Sequence, residues 1–263
     1  MGRIPALRII NLIAFLITVA FNTLSQIPSL GFGVGTNAEI ANRYPDLLYF
    51  PANSAFSIWG VIYLFLLGFS IYQILPAQRD NPHIERLGWL FVVTCIFNIG
   101  WIASFQYEQF VLSMIMMLGL LATLITIYLR LGIGRTALTL RDKLLVHVPF
   151  SIYLGWITAA TVTNAAFILR DAGWDGFGIA PEIWTAIMLV ITGVLGLIMI
   201  FRNRDIAYAL VIAWATFWIY SRHSEIQTVA LFAIGVAIIM IVALVLRLII
   251  NRPSDPMPLA SAA

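Results

Sequence analysis

Eight long apolar runs divide this chain, and of its Asp, Glu, Lys and Arg residues only Arg247 falls inside one. The runs are Ile9–Ile27, Ser54–Leu75, Leu87–Phe105, Phe110–Leu129, Leu144–Leu169, Ile183–Phe201, Ile206–Tyr220 and Ile226–Ile250. Most reach the roughly 20 residues that cover about 30 Å of hydrocarbon. Inside a bilayer every backbone N–H and C=O needs a partner within its own segment, so such runs fold as helices. The seventh is short, about 22 Å at 1.5 Å per residue. It reads as a buried span, because no charge lies between Asp205 and Arg222. A composition of 61% hydrophobic and 10% charged residues, with mean hydropathy +0.95, excludes a soluble domain. The expected fold is an all-α polytopic membrane helix bundle with about eight transmembrane helices.

The basic residues orient the bundle. With a cytoplasmic N-terminus and eight crossings, Arg3, Arg8, Arg79, Arg86, Arg130, Arg135, Arg141, Lys143, Arg202, Arg204, Arg247 and Arg252 fall inside, against Arg43, Arg170 and Arg222 outside. This asymmetry predicts a multi-pass protein of the cell (inner) membrane with both termini cytoplasmic. The net charge of +3 is then a topology signal, and no nucleic-acid partner is expected. Cys95 is the single cysteine and lies inside the third run, so neither a disulfide nor a Cys-based metal site is expected. The first run lacks a small-residue cleavage site and reads as a permanent helix. The Gly-rich stretch from Arg170 to Gly178 carries Asp171 and Asp175 without the further ligands of a calcium loop, and no metal site is assigned.

The long outside segment from Pro28 to Asn53 is Gly-bearing at first and ends in Tyr44-Pro45 and Tyr49-Phe50-Pro51. It reads as a lid formed by Tyr44, Pro45, Phe50 and Pro51, or as an interfacial loop anchored by its aromatics. The short link Gln106 to Gln109 predicts an antiparallel helix hairpin. Acidic groups, lysines and histidines are nearly absent at mid-depth, where an ion-coupled transporter carries its relay. His83, His147 and His223 read as structural or solvated, with axial ligation of a haem iron by His147 as the minority alternative.

Three clusters remain. The second run opens with Phe56, Trp59 and Tyr63, the last two sharing a helix face; the third carries Asn98 and Trp101; the fifth carries Tyr153, Trp156 and, two turns on, Asn164. A buried indole or amide at membrane depth needs a partner, so these helices face either one another or a guest. Converging, they would line a cleft of π-surface with polar anchors, suited to a flat, largely apolar ligand. The alternative is packing, with Asn98 and Asn164 bonded to each other across helices.

The pattern resembles the tryptophan-rich sensory protein family, whose animal members are the translocator proteins. Trp59 and Tyr63 match the W-x-x-x-Y of the family's second helix, Asn98 and Trp101 its N-x-x-W, and Tyr153, Leu154, Trp156 and Asn164 the fifth-helix motif. The family's Trp-rich first loop is replaced here by Tyr44, Pro45, Phe50 and Pro51. Phe167 stands before Arg170 where a sterol-associated stretch carries Tyr, so sterol recognition is not expected. The resemblance implies a translocator-like five-helix core over residues 1–170; beyond that family pattern the chain adds a three-helix membrane extension over 171–252, and its small, polar end reads as a disordered tail over 253–263. Trp214 and Trp218 are expected to pack that extension.

It further implies a ligand such as a porphyrin or haem, held by Phe56, Trp59, Tyr63, Asn98, Trp101, Tyr153, Trp156 and Asn164 for sensing, sequestration or transport, with no required cofactor and no catalytic residue. The expected partners are the lipid bilayer and a small apolar ligand, with a homodimer left open. Rival readings are a transporter of a small apolar solute, an enzyme acting on the bound tetrapyrrole, and a non-catalytic regulatory or assembly subunit.

Overall fold

The computed structural model describes residues 6–30, 32–136 and 138–250; the expected tail lies outside them. The chain is an all-α membrane bundle. Its apolar helices are α1 (Ala6–Ser25), α2 (Ile58–Tyr72), α3 (Leu90–Gln106), α4 (Phe110–Leu131), α5 (Val148–Asp171), α6 (Pro181–Asn203), α7 (Ile206–Arg222) and α8 (Gln227–Ile250). A 3-10 turn, Asn53–Ser57, leads into α2, and a helical and π turn, Leu140–His147, leads into α5. With those lead-ins, six helices among the described residues are long and apolar enough to cross a membrane. The other two, α3 and α7, have 17 residues each, about 25 Å of helix.

Consecutive helices mostly pack as neighbours. The α3–α4 connection is the expected hairpin, closed by Gln109 N–H donating to the Ser104 carbonyl, with Glu108 in the left-handed region at φ 54°. The last three helices share a core with the first five. Helix α7 packs on α5, α6 and α8, and Gly155 of α5 lets the two backbones meet: a Cβ there would lie 3.2 Å from the Tyr208 carbonyl oxygen. Small residues do this work in membranes, where lipid tails offer helices no hydrophobic reason to associate.

Polar side chains fix the helices' register. The buried Arg8 donates to the carbonyls of Gln73, Gln78 and Arg79, closing the C-terminal end of α2. Asp205, also buried, caps α7 by accepting from Tyr208 N–H, while Ser151 of α5 and Tyr128 of α4 donate to its carboxylate. These two charges sit near helix ends but turn inward, because unpaired carbonyls and N–H groups there supply partners.

The segment Pro28–Asn53 carries structure of its own. Thr36 and Glu39 form a capping box, with the Thr36 hydroxyl accepting from Glu39 N–H and the Glu39 carboxylate accepting from Thr36 N–H, which starts the short helix Asn37–Asn42.

Candidate functional site: an aromatic cavity under the Tyr44–Phe56 segment

The Tyr44–Phe56 segment is fastened by polar contacts to α5, α6 and α7. Thr163 of α5 donates to the Tyr49 carbonyl, and the Tyr49 and Thr192 hydroxyls, the latter on α6, lie 2.7 Å apart. Ala52 N–H donates to the Trp218 carbonyl of α7, and His223 Nε2 lies 3.2 Å from the Phe50 carbonyl oxygen. The Arg222 guanidinium lies 4.9 Å from the centroid of the Phe50 ring. Near the α3–α4 turn, Val34 N–H donates to the Gln106 carbonyl, and Arg43 pairs with Glu108 at 3.1 Å. Gly33 permits that approach: a Cβ there would sit 2.3 Å from the Gln106 oxygen. Arg170 pairs with Asp46, but both are half exposed, so such ion pairs add at most about 1 kcal/mol each. The apolar face does more, with Ile40, Leu47 and Phe50 buried against Phe105, Phe110 and Phe167. Burial pushes the Tyr49 hydroxyl up to about 12, so it stays protonated at every working pH.

Beneath the segment lies a small cavity of about 40 Å³. Its walls include Phe50 and Pro51, Phe56, Trp101 and Phe105 from α3, Trp156, Asn164 and Phe167 from α5, and Ala215 and Ile219 from α7. Of the eight residues expected to hold a ligand, Phe56, Trp101, Trp156 and Asn164 therefore line it. Of the four lid residues, Phe50 and Pro51 do. Tyr44 packs edge-on to Phe110 and Phe167, and Pro45 is exposed. Trp59, Tyr63, Asn98 and Tyr153 form the layer behind. Trp59 stacks on Tyr63 at 5.4 Å and on Trp101 at 6.1 Å, and meets Tyr153 and Trp156 edge-on.

The amides do not bond each other as the packing alternative supposes. Asn98 Nδ2 donates to the Tyr153 hydroxyl at 2.9 Å, and its oxygen accepts from Asn22 of α1 at 2.8 Å. Asn164 accepts from Trp101 Nε1 at 3.3 Å and exchanges hydrogen bonds with Ser113 of α4. Trp156 differs: it is 3% exposed, and its indole N–H has no partner.

Trp214 donates to the Ala55 carbonyl at 3.0 Å, bracing the lead-in to α2, while α7 presents Ala215 and Ile219 to the cavity. His147 lies on a different cavity, with its ring 6.2 Å from that of His83. Asn22, Ser113 and Ala215 carry no local signal in the sequence, since what each meets lies far along the chain.

A family model described as TSPO-like protein matches residues 8–246. The match runs from α1 into α8, so it takes in the last three helices as well as the first five. The same comparisons find no matching curated protein and no matching solved structure.

Proposed function

This chain belongs to the TSPO-like protein family, and we propose that it binds a flat, largely apolar ligand in the cavity beneath the Tyr44–Phe56 segment, for sensing, sequestration or transport. The observation that carries this reading is the Trp156 indole N–H, buried on the wall of an aromatic cavity without an acceptor. An unmade hydrogen bond there costs about 1–3 kcal/mol, which an acceptor atom on a guest would recover. The surrounding rings supply stacking surface, and the neighbouring amides, already satisfied by protein groups, hold those rings in place.

The cavity's volume is far below the 300–1,000 Å³ or so of ordinary ligand sites. This conformation is therefore the closed one, and Phe50, Pro51 and Phe56 are displaced when a ligand enters. A tetrapyrrole, the ligand class implied by the resemblance, requires the larger displacement. Titration of the detergent-purified protein with a porphyrin series, followed by tryptophan fluorescence, tests the proposal. Trp156→Phe keeps a ring and removes the N–H, so affinity should fall about fivefold to tenfold while the melting temperature holds. Unchanged affinity, or a stability loss that matches the affinity loss, defeats the reading.

A further inference from the structure

A second cavity, of about 440 Å³, lies at the other end of α5, between the α4–α5 connection and the corner where α6 turns into α7. Lys143 and Arg204 are its cationic walls, with Ile133, Leu138 and Val148 as apolar ones. Both cations are exposed, and neither makes an ion pair among the described residues. Arg204 holds the left-handed backbone at φ 56°, ψ 32°. Glycine would occupy that conformation with less strain, whereas the arginine here sets a guanidinium on the cavity wall. The one acidic wall residue, Asp205, has its carboxylate oxygens taken by Ser151, Tyr128 and Tyr208 N–H, which disperse its charge. Beyond the cations the cavity runs onto Ile206 and Leu210, which are 37% and 48% exposed on the flank of α7.

We propose that this cavity holds the phosphate of an anionic membrane lipid, gripped by Lys143 and Arg204, with an acyl chain lying along Ile206 and Leu210. A guanidinium fork and an ammonium point charge together suit a phosphate diester. Basic pockets between helices at the membrane edge concentrate anionic headgroups, each cation strengthening binding about fivefold. The apolar continuation selects the lipid over free phosphate, which would use only the cations.

Native mass spectrometry of the intact protein, titrated in detergent with phosphatidylglycerol or phosphatidylcholine, tests this. One phosphatidylglycerol should be retained at least tenfold more tightly than phosphatidylcholine. The double variant Lys143→Gln/Arg204→Gln should lose about thirtyfold of that affinity. Arg202→Gln, which removes a neighbouring exposed cation outside the cavity wall, should change it little. Circular dichroism and melting should show all three proteins folded alike, since the substituted side chains are exposed. Retained preference in the double variant, or an equal loss in Arg202→Gln, would reveal generic surface attraction and overturn the site. Complete displacement of the lipid by millimolar inorganic phosphate would overturn the lipid assignment.

Discussion

At its C-terminal end α5 helps wall a cavity of about 40 Å³ covered by rings, whereas at its N-terminal end it walls one of about 440 Å³ edged by cations. Each end sets a satisfied buried polar group beside an open one, Asn164 beside Trp156 at the first cavity and Asp205 beside His147 Nε2 at the second. Asp205 has protein donors on its carboxylate from three helices, so its role is to hold those helices. Trp156 keeps a donor that the protein leaves unanswered. A buried polar group that the chain satisfies is structure, and one that it leaves open on a cavity wall is an invitation to a guest.

The sharpest way to break that contrast is Asp205→Ala. It strands the Ser151 and Tyr128 hydroxyls and the Tyr208 N–H together, so thermal unfolding in detergent should show a loss of about 3 kcal/mol. A loss below about 1 kcal/mol would mean that the carboxylate is not the knot that joins α4, α5 and α7. Next comes Asn98→Leu, which removes the bridge between Asn22 and Tyr153. Interhelical hydrogen bonds in membranes average about 0.6 kcal/mol, so two of them should yield a loss of about 1 kcal/mol. Porphyrin affinity should fall with it only through loosened rings, by less than in Trp156→Phe. The reverse ranking would move Asn98 from scaffold to ligand contact.

The smallest effect concerns pH. Burial, then the neighbouring Arg222, lowers the pKa of His223, against the opposing hydrogen bond to the Phe50 carbonyl. A histidine whose closed-state pKa is depressed stabilises closure fully above its ordinary value of about 6.5. As pH falls below that value the open, solvated ring takes up protons first, and closure weakens until the depressed value is reached. Hydrogen exchange of the backbone between 49 and 53, corrected for its intrinsic pH dependence, should therefore quicken from pH 7.5 to 5.5. In His223→Gln the corrected rate should be flat. A wild-type rate that is also flat would remove His223 from the fastening of the segment.

The helices were legible because their signal is local. The run Phe110–Leu129 became α4, Phe110–Leu131, and Ile226–Ile250 became α8, Gln227–Ile250. Hydropathy and backbone pairing both act over a single segment, so neither needs the fold. The short helix Asn37–Asn42 was hidden instead: the glycines and prolines around it point to a loop, although Thr36 and Glu39 stand three residues apart as its capping box. Arg8 reads as one more positive charge at a membrane edge, and only the packed bundle turns it onto the end of α2. The amide partners were hidden for a related reason. Asn98 meets Asn22 and Tyr153 across 76 and 55 residues of chain, and no spacing rule spans that distance.

The order of residues alone determined that this chain is a membrane bundle, where its helices lie to within a few residues at each end, and which of them carry indoles and amides. Only the assembled helices decided that Trp101 spends its N–H on Asn164 while Trp156 does not, and that Ala215 and Ile219 of α7 close the cavity's wall. The reason is one of range: burial and helical pairing are settled within a few turns of a single segment. Whether a polar atom finds a partner depends on which distant helix arrives beside it.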